Sequence, residues 1–261
     1  MQALRTPPPG TLLWCVRQCR QWIRKGLPRL KEKVTVILPA AGLGKRFGKD
    51  ANKPFVKLCG KPLLVWALEV LDALPEIGEI IPVLKDGDME SGVEILEAYG
   101  IRKTRRIAPG GKERQDSVFH GLKLVDNKGC IVLVHDGVRP LIEPPVVSQA
   151  IRQLKDCDGV VVGVPVKDTI KEVFGGEIKR TLNRDSLWAV QTPQVFRYET
   201  LYSAYEKAAK ESFYSTDDSS LVERYGGRIK MVTGSYTNIK ITTQEDLKVA
   251  EMFLAMRERI S

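Results

Sequence analysis

A chain of 261 residues, 43% of them hydrophobic, can bury a sizeable core and fits one large α/β domain or a domain with an appendage. The formal net charge of +9 is concentrated at one end: residues 1–33 hold eight Lys or Arg against Glu32 alone, leaving only about +2 for the rest. This distribution excludes a phosphate-backbone stripe across the fold, so no nucleic-acid partner is expected. Cys15, Cys19, Cys59, Cys130 and Cys157 show no C-x-x-C spacing and only His120 and His135 could join them, which argues against zinc and for a reducing, intracellular compartment. No run of about 18 apolar residues is present to span a membrane.

Residues 1–32 read as an extension. After the breaker cluster "TPPPG", Leu12, Val16, Cys19, Ile23, Leu27 and Leu30 recur at three- and four-residue steps among Arg17, Arg20, Arg24, Lys25 and Arg29, the pattern of a basic amphipathic helix. A targeting peptide, an interfacial membrane anchor, an appendage of little consequence and a translation start further downstream all fit this segment. Its few Ser and Thr residues weigh against a transit peptide. Membrane contact is expected, if anywhere, only here.

From Lys33 onward the chain alternates short β-branched runs ("VTVILPA", "EIIPVL", "CIVLVH", "GVVVGVPV") with helix-like segments such as "KPLLVWALEVLDAL" and "MESGVEILEAYG". Continuous apolar strands imply a sheet covered on both faces, so residues 33–261 are predicted to form a Rossmann-like, doubly wound, mostly parallel α/β domain with its ligand at the carboxyl ends of the strands.

The first strand runs into Pro39, Ala40, Ala41, Gly42, Leu43 and Gly44, a turn nearly without side chains, where backbone N–H groups can approach an anion. Phe47 stands where a dinucleotide-binding G-x-G-x-x-G needs its third glycine, and no Gly-Lys-Ser/Thr ending marks a P-loop. Lys45, Arg46, Lys49 and Lys53 follow, and cations beside free amides suit a triphosphate; a tight turn with a solvated basic face is the plainer alternative. Further on, "APGGKERQDSV" opens with a second glycine pair, Gly110 and Gly111, and leads into a helix carrying Ser117. "CIVLVHDGVRP" ends a buried strand with Asp136 and Arg139, placed to face the ligand crevice; Asp136 capping the turn and Arg139 pairing with it are the plainer alternatives. His135 reads as a packed, hydrogen-bonded residue with no catalytic role. The stretch from about 165 to 187 reads as two strands around "FGG", a protruding arm that gains stability only by packing on something else, most economically a second copy of the chain.

"PAAGLGKRF" with Lys53 downstream resembles the signature of sugar-phosphate nucleotidyltransferases. Together with "GGKERQDSVFHGL", "VHDGVRP", "TLNRDSLWAVQTPQVF" and "TNIKITTQEDL", in order, it is similar to the 2-C-methyl-D-erythritol 4-phosphate cytidylyltransferase family over about residues 33–258, although Asn52 stands where members usually have proline. The resemblance implies transfer of CMP from CTP to a polyol phosphate, 2-C-methyl-D-erythritol 4-phosphate, with release of pyrophosphate, in the non-mevalonate isoprenoid pathway. It assigns Arg46 and Lys53 to transition-state stabilisation, and Pro39, Ala40, Ala41, Gly42, Gly44 and Gly110 to the nucleotide. It further implies that backbone groups of Gly111 and Lys112 and the hydroxyl of Ser117 recognise cytosine. Asp136 is expected to meet the acceptor's hydroxyls near Mg²⁺ or another divalent cation, itself held mostly by the CTP phosphates. Lys240, with Arg184 sent from a partner subunit's arm, is expected to hold the acceptor phosphate; Thr192 and Arg139 lie beside them. A homodimer with shared active sites is thus implied, cytoplasmic as in bacteria, or in the plastid stroma if the extension is a transit peptide. Pentitol-phosphate (ribitol 5-phosphate) cytidylyltransferases share several of these motifs, with Leu187 and Trp188 tilting the choice away from them; a non-catalytic subunit of the same fold would be expected to lack Arg46 or Lys53.

Overall fold

The computed structural model describes residues 33–42, 47 and 53–260. The proposed helix within the extension, together with Gly44, Lys45, Arg46 and Lys49, lies outside the described residues. The described residues form eleven strands: β1 (Val34–Pro39), β2 (Lys57–Leu58), β3 (Lys61–Pro62), β4 (Ile77–Leu84), β5 (Ala108–Pro109), β6 (Ile131–Val134), β7 (Gly159–Pro165), β8 (Lys171–Phe174), β9 (Glu177–Thr181), β10 (Trp188–Arg197) and β11 (Ile229–Thr233). Helices α1 (Leu63–Ala73), α2 (Met89–Ala98), α3 (Arg114–Lys123), α4 (Pro144–Gln153), α5 (Tyr198–Lys210), α6 (Asp218–Arg224) and α7 (Gln244–Ile260) connect them.

Seven strands form the central sheet in the order β11-β7-β10-β6-β1-β4-β5. Side chains alternate across it with the period of two that strands impose. Val34, Val36 and Leu38 of β1 pack with apolar residues of α1 and α4 on one face, while Ile37 packs with Val118 and Leu122 of α3 and with α5 and α6 on the other. Both faces are therefore dry, which is why these strands read as unbroken apolar runs. A smaller cluster joins Ala250 and Leu254 of α7 to Leu58, Leu63 and Trp66. The close approach of α3 requires Gly121, where an added Cβ would lie 2.7 Å from the Ile37 methyl.

β10 departs from the parallel pattern and runs antiparallel to both β6 and β7. The cause is the arm: β7 ends at Pro165, the chain leaves the sheet, and it re-enters at Trp188 directly opposite Pro165, so the return strand must reverse direction. The predicted arm is present as the β8–β9 hairpin, a sheet of its own. Gly175 and Gly176, with φ of 58° and 87°, supply the positive angles that a tight two-residue hairpin turn requires. Phe174 is 84% exposed, and Val173 and Ile178 are exposed beside it.

At the base of α1 the fold encloses an ion pair. Lys61 Nζ lies 2.6 Å from Glu69 Oε2 and 4.2 Å from the centre of the Trp66 ring, and both charged side chains are buried. Burial pushes the Glu69 carboxyl up from its ordinary range, against the pull of Lys61. Removing one member strands the other without compensation. Lys61→Ala is therefore expected to cost about 3–5 kcal/mol in urea unfolding, whereas the apolar pair Lys61→Met with Glu69→Leu should recover most of that loss.

Candidate active site

A cleft of about 720 Å³ opens at the carboxyl edge of the parallel strands. It lies where β1 has β4 on one side and β6 on the other, the switch point at which doubly wound sheets bind ligands. Pro39, Ala40, Ala41 and Gly42 continue β1 into its wall; Lys85 and Asp86 follow β4, Gly110 and Gly111 follow β5, and Asp136 follows β6. The glycine pair is a steric necessity. A Cβ on Gly110 would stand 2.4 Å from that of Ala41, and one on Gly111 would stand 2.2 Å from that of Asp116.

Ser117 is buried in this wall. The Gly111 N–H donates to its hydroxyl (3.0 Å), which in turn donates to the Glu113 carbonyl (3.1 Å), folding the loop back onto the start of α3. Glu113 is tied in as well, its N–H donating to the Asp116 carboxylate at 2.9 Å. Lys53 also lines the cleft, so the cations Lys53, Lys85, Lys112, Arg114 and Lys240 face one space from four chain segments. Such a concentration of charge around small residues favours a polyanion.

Asp136 is the centre of the arrangement. Arg114 Nε lies 3.0 Å from its Oδ1, while Lys240 Nζ at 2.9 Å and Arg139 Nε at 3.4 Å share its Oδ2. Burial alone would raise the carboxyl's pKa; the charges of Arg114, Lys240 and Arg139 override it and hold Asp136 ionised, well below the usual carboxylate range. The backbone is fixed with equal care. Asp136 N–H donates to the Thr192 hydroxyl (3.0 Å), and the Arg139 guanidinium donates to the Asn238 carbonyl (2.8 Å). The Asn238 amide donates to the carbonyl of Thr192 (2.9 Å), so the "DGVRP", "QTPQ" and "TNIK" segments are cross-tied behind the cleft.

Most of the residues singled out in the sequence meet here. Pro39, Ala40, Ala41, Gly42, Lys53, Gly110, Gly111, Lys112, Ser117, Asp136 and Lys240 all line the cleft. Arg139 and Thr192 stand behind it, holding Asp136. Arg184 does not line the cleft: it is exposed at the base of the arm, donating to the Lys167 carbonyl at 2.9 Å. Arg46 and Gly44 lie outside the described residues. Arg114 and Asn238 are not legible as site residues in the sequence although both sit inside its motifs, because a lone Arg or Asn carries no periodic or spacing signal. Asp218, which holds Arg114 from the far side at 2.8 Å, is 104 residues away in sequence.

Mg²⁺ can be tested against this donor set. Among the described residues no cluster of three or more His, Cys, Asp or Glu could cage a cation, and both Asp136 oxygens already face cationic groups. The residues fit a magnesium ion that takes one carboxylate here and its remaining ligands from phosphate oxygens and water, as this hard cation commonly does.

An α/β sandwich with a glycine loop, a cationic cleft at the switch point and an ionised aspartate at the end of the adjacent strand defines the nucleotidyltransferase class. Residues 34–256 match the family of 2-C-methyl-D-erythritol 4-phosphate cytidylyltransferase, IspD, and the chain belongs to that family. The chain is 46% identical over 226 residues to 2-C-methyl-D-erythritol 4-phosphate cytidylyltransferase of Clostridioides difficile, covering 86% of this chain and 95% of that one. The enzyme of the same name from Geotalea uraniireducens is 44% identical over 85% of this chain and 97% of its own. Among solved structures, 4-diphosphocytidyl-2C-methyl-D-erythritol synthase from Anaerococcus prevotii superposes with a TM-score of 0.77 at 35% identity, covering 86% of this chain and 96% of that one.

His135, behind Asp136, is fully buried. Its Nε2–H donates to the Arg139 carbonyl (3.2 Å), so Nδ1 of the neutral ring accepts from the Thr192 hydroxyl (2.9 Å). Burial pushes its pKa down to about 4, despite the opposing charge of Asp136. Between that value and the ordinary ~6.5, the unfolded chain binds a proton that the native chain refuses, so stability rises with pH across this window and is complete above it. Unfolding free energy should therefore fall by about 2 kcal/mol from pH 7 to pH 5 on account of this residue. His135→Gln, compared in urea titrations at the two pH values, should show that much less loss.

Proposed function

We propose that the cleft joins CTP to 2-C-methyl-D-erythritol 4-phosphate, releasing pyrophosphate, and that it does so in a cytoplasmic homodimer whose two sites are each completed by the partner's arm. The observation that carries the chemistry is the ionised Asp136 set among cations at the end of β6, beside the glycine loop. An oxygen of the acceptor phosphate attacks the α-phosphorus of CTP, a new P–O bond forms, and the bond to the β-phosphate breaks with its electron pair leaving on pyrophosphate. No covalent enzyme intermediate is required. Because both reactants are polyanions, the protein contributes positioning and charge stabilisation.

Lys53 and Arg46 would stabilise charge on the nucleotide's phosphates, the first as a compact charge and the second as a planar fork. Pro39, Ala40, Ala41, Gly42 and Gly44, with Gly110, Gly111, Lys112 and Ser117, would enclose the ribose and cytosine. Asp136 would accept hydroxyl hydrogen bonds from the acceptor, and Lys240 would hold its phosphate, with Thr192 and Arg139 keeping Asp136 in place. Mg²⁺, when bound, neutralises phosphate charge, and Asp136 is the residue placed to share it.

The dimer rests on the arm. A two-stranded ribbon with Val173, Phe174 and Ile178 in solvent has little reason to be stable alone, and a two-fold axis would bury both copies at once. Arg184 at its base would then supply the acceptor phosphate of the partner's site, the place it does not reach in its own chain. Lys53→Ala and Arg184→Ala should each lower turnover about 10²-fold. Mixed under subunit exchange, they should regain activity towards half of wild type per mixed dimer, since one of its two sites draws intact Lys53 from one chain and intact Arg184 from the other. Verified exchange without recovery would show that Arg184 serves its own chain.

A further inference from the structure

Asp218, the first residue of α6, is fully buried and does not line the cleft. Its two oxygens accept Arg114 Nη1 (3.1 Å) and Nη2 (2.8 Å) as a parallel pair, and the Tyr205 hydroxyl donates to the same carboxylate. Arg114, for its part, lines the cleft and donates from Nε to Asp136 Oδ1. A single guanidinium thus spans from a carboxylate in the core to the carboxylate in the site.

Stability is a poor reason for this arrangement, because buried ion pairs seldom outperform apolar residues of the same volume. Rigidity is a better one. A bidentate fork fixes the plane of the guanidinium, and the fixed plane fixes the atom that Nε touches.

The three cations on Asp136 are unequal in a way that gives this rigidity a use. Arg139 is anchored a second time by the Asn238 carbonyl, and Arg114 by Asp218. Lys240 has the most exposed side chain of the three, at 38%, and shares Oδ2 from a loop at the cleft. We infer that Asp218 is a positioning residue for the acceptor half of the site: acting through Arg114, it keeps the Asp136 carboxylate in place while Lys240 exchanges that carboxylate for the acceptor phosphate. The inference rests on the proposed acceptor roles of Asp136 and Lys240, and it separates a fixed cation from one that is free to move.

Two variants test it, Asp218→Asn, which keeps the shape and removes the charge, and Tyr205→Phe, which removes one hydrogen bond to Asp218. In steady-state assays Asp218→Asn should raise KM for methylerythritol phosphate about tenfold or more while KM for CTP changes less than about twofold. Tyr205→Phe should move the acceptor KM in the same direction by about two- to threefold. In a crystal structure of Asp218→Asn, Arg114 Nε should have left Asp136 Oδ1. A fall in kcat with both KM values unchanged would mark Asp218 as merely structural and overturn the inference, as would an unmoved Arg114. Should Asp218→Asn fail to fold, an unchanged acceptor KM in Tyr205→Phe overturns it alone. Wild-type protein without turnover would instead overturn the proposed reaction, and the position of Arg114 in the Asp218→Asn crystal structure would still decide whether the strut exists.

Discussion

A buried carboxylate can stay ionised only if cations pay for its lost hydration, and the structure around the cleft follows from meeting that condition at Asp136. Three positive side chains do so, each delivered by a different part of the chain: Arg114 from the start of α3, Arg139 from the turn after β6, and Lys240 from the loop after β11. Without the carboxylate between them the three cations would repel one another. The same cluster that costs desolvation therefore locks three segments into one geometry. What results is a site that is electropositive towards incoming phosphates yet rigid before they arrive, which is the condition for electrostatic preorganisation.

The sheet places the cluster. Parallel strands bring their carboxyl ends to one edge, and the reversal of order at β1 opens a gap there that helices cannot fill. β10, inserted antiparallel between β6 and β7, carries Thr192 alongside Asp136, so the strand that returns from the arm also ties the active-site backbone. The connection that projects the arm outward and the strand that supports the aspartate are thus consecutive parts of one excursion.

The sequence is legible where the physical rule is local. The apolar runs of β1, β4, β6 and β7 announce a sheet buried on both faces, and the small residues after Leu38 and before Lys112 announce places where backbone must approach a ligand or another backbone closely. The hairpin is readable from "FGG" flanked by β-branched residues. What depends on long-range closure is not readable. The direction of β10 is decided by where the chain re-enters the sheet, and the partnership of Arg114 with Asp218 spans 104 residues with no pattern connecting them. Arg139, expected at the ligand crevice because it follows a strand end, turns its guanidinium to Asp136 and the Asn238 carbonyl, and the Thr192 hydroxyl lies between the Asp136 N–H and His135. A strand end supplies both kinds of position, and only packing tells them apart.

A preorganised, cationic, aspartate-centred cleft is expected to select methylerythritol phosphate as the acceptor of CMP. The most direct measurement is pyrophosphate release by the full chain with CTP and Mg²⁺, comparing 2-C-methyl-D-erythritol 4-phosphate with ribitol 5-phosphate over a range of concentrations. Turnover is expected with the methylerythritol phosphate, with a kcat/KM at least about 10²-fold lower for the pentitol, because polar groups positioned for one polyol would be left unpaired by the other. Equal or greater kcat/KM with ribitol 5-phosphate, or no pyrophosphate with either acceptor, would contradict it.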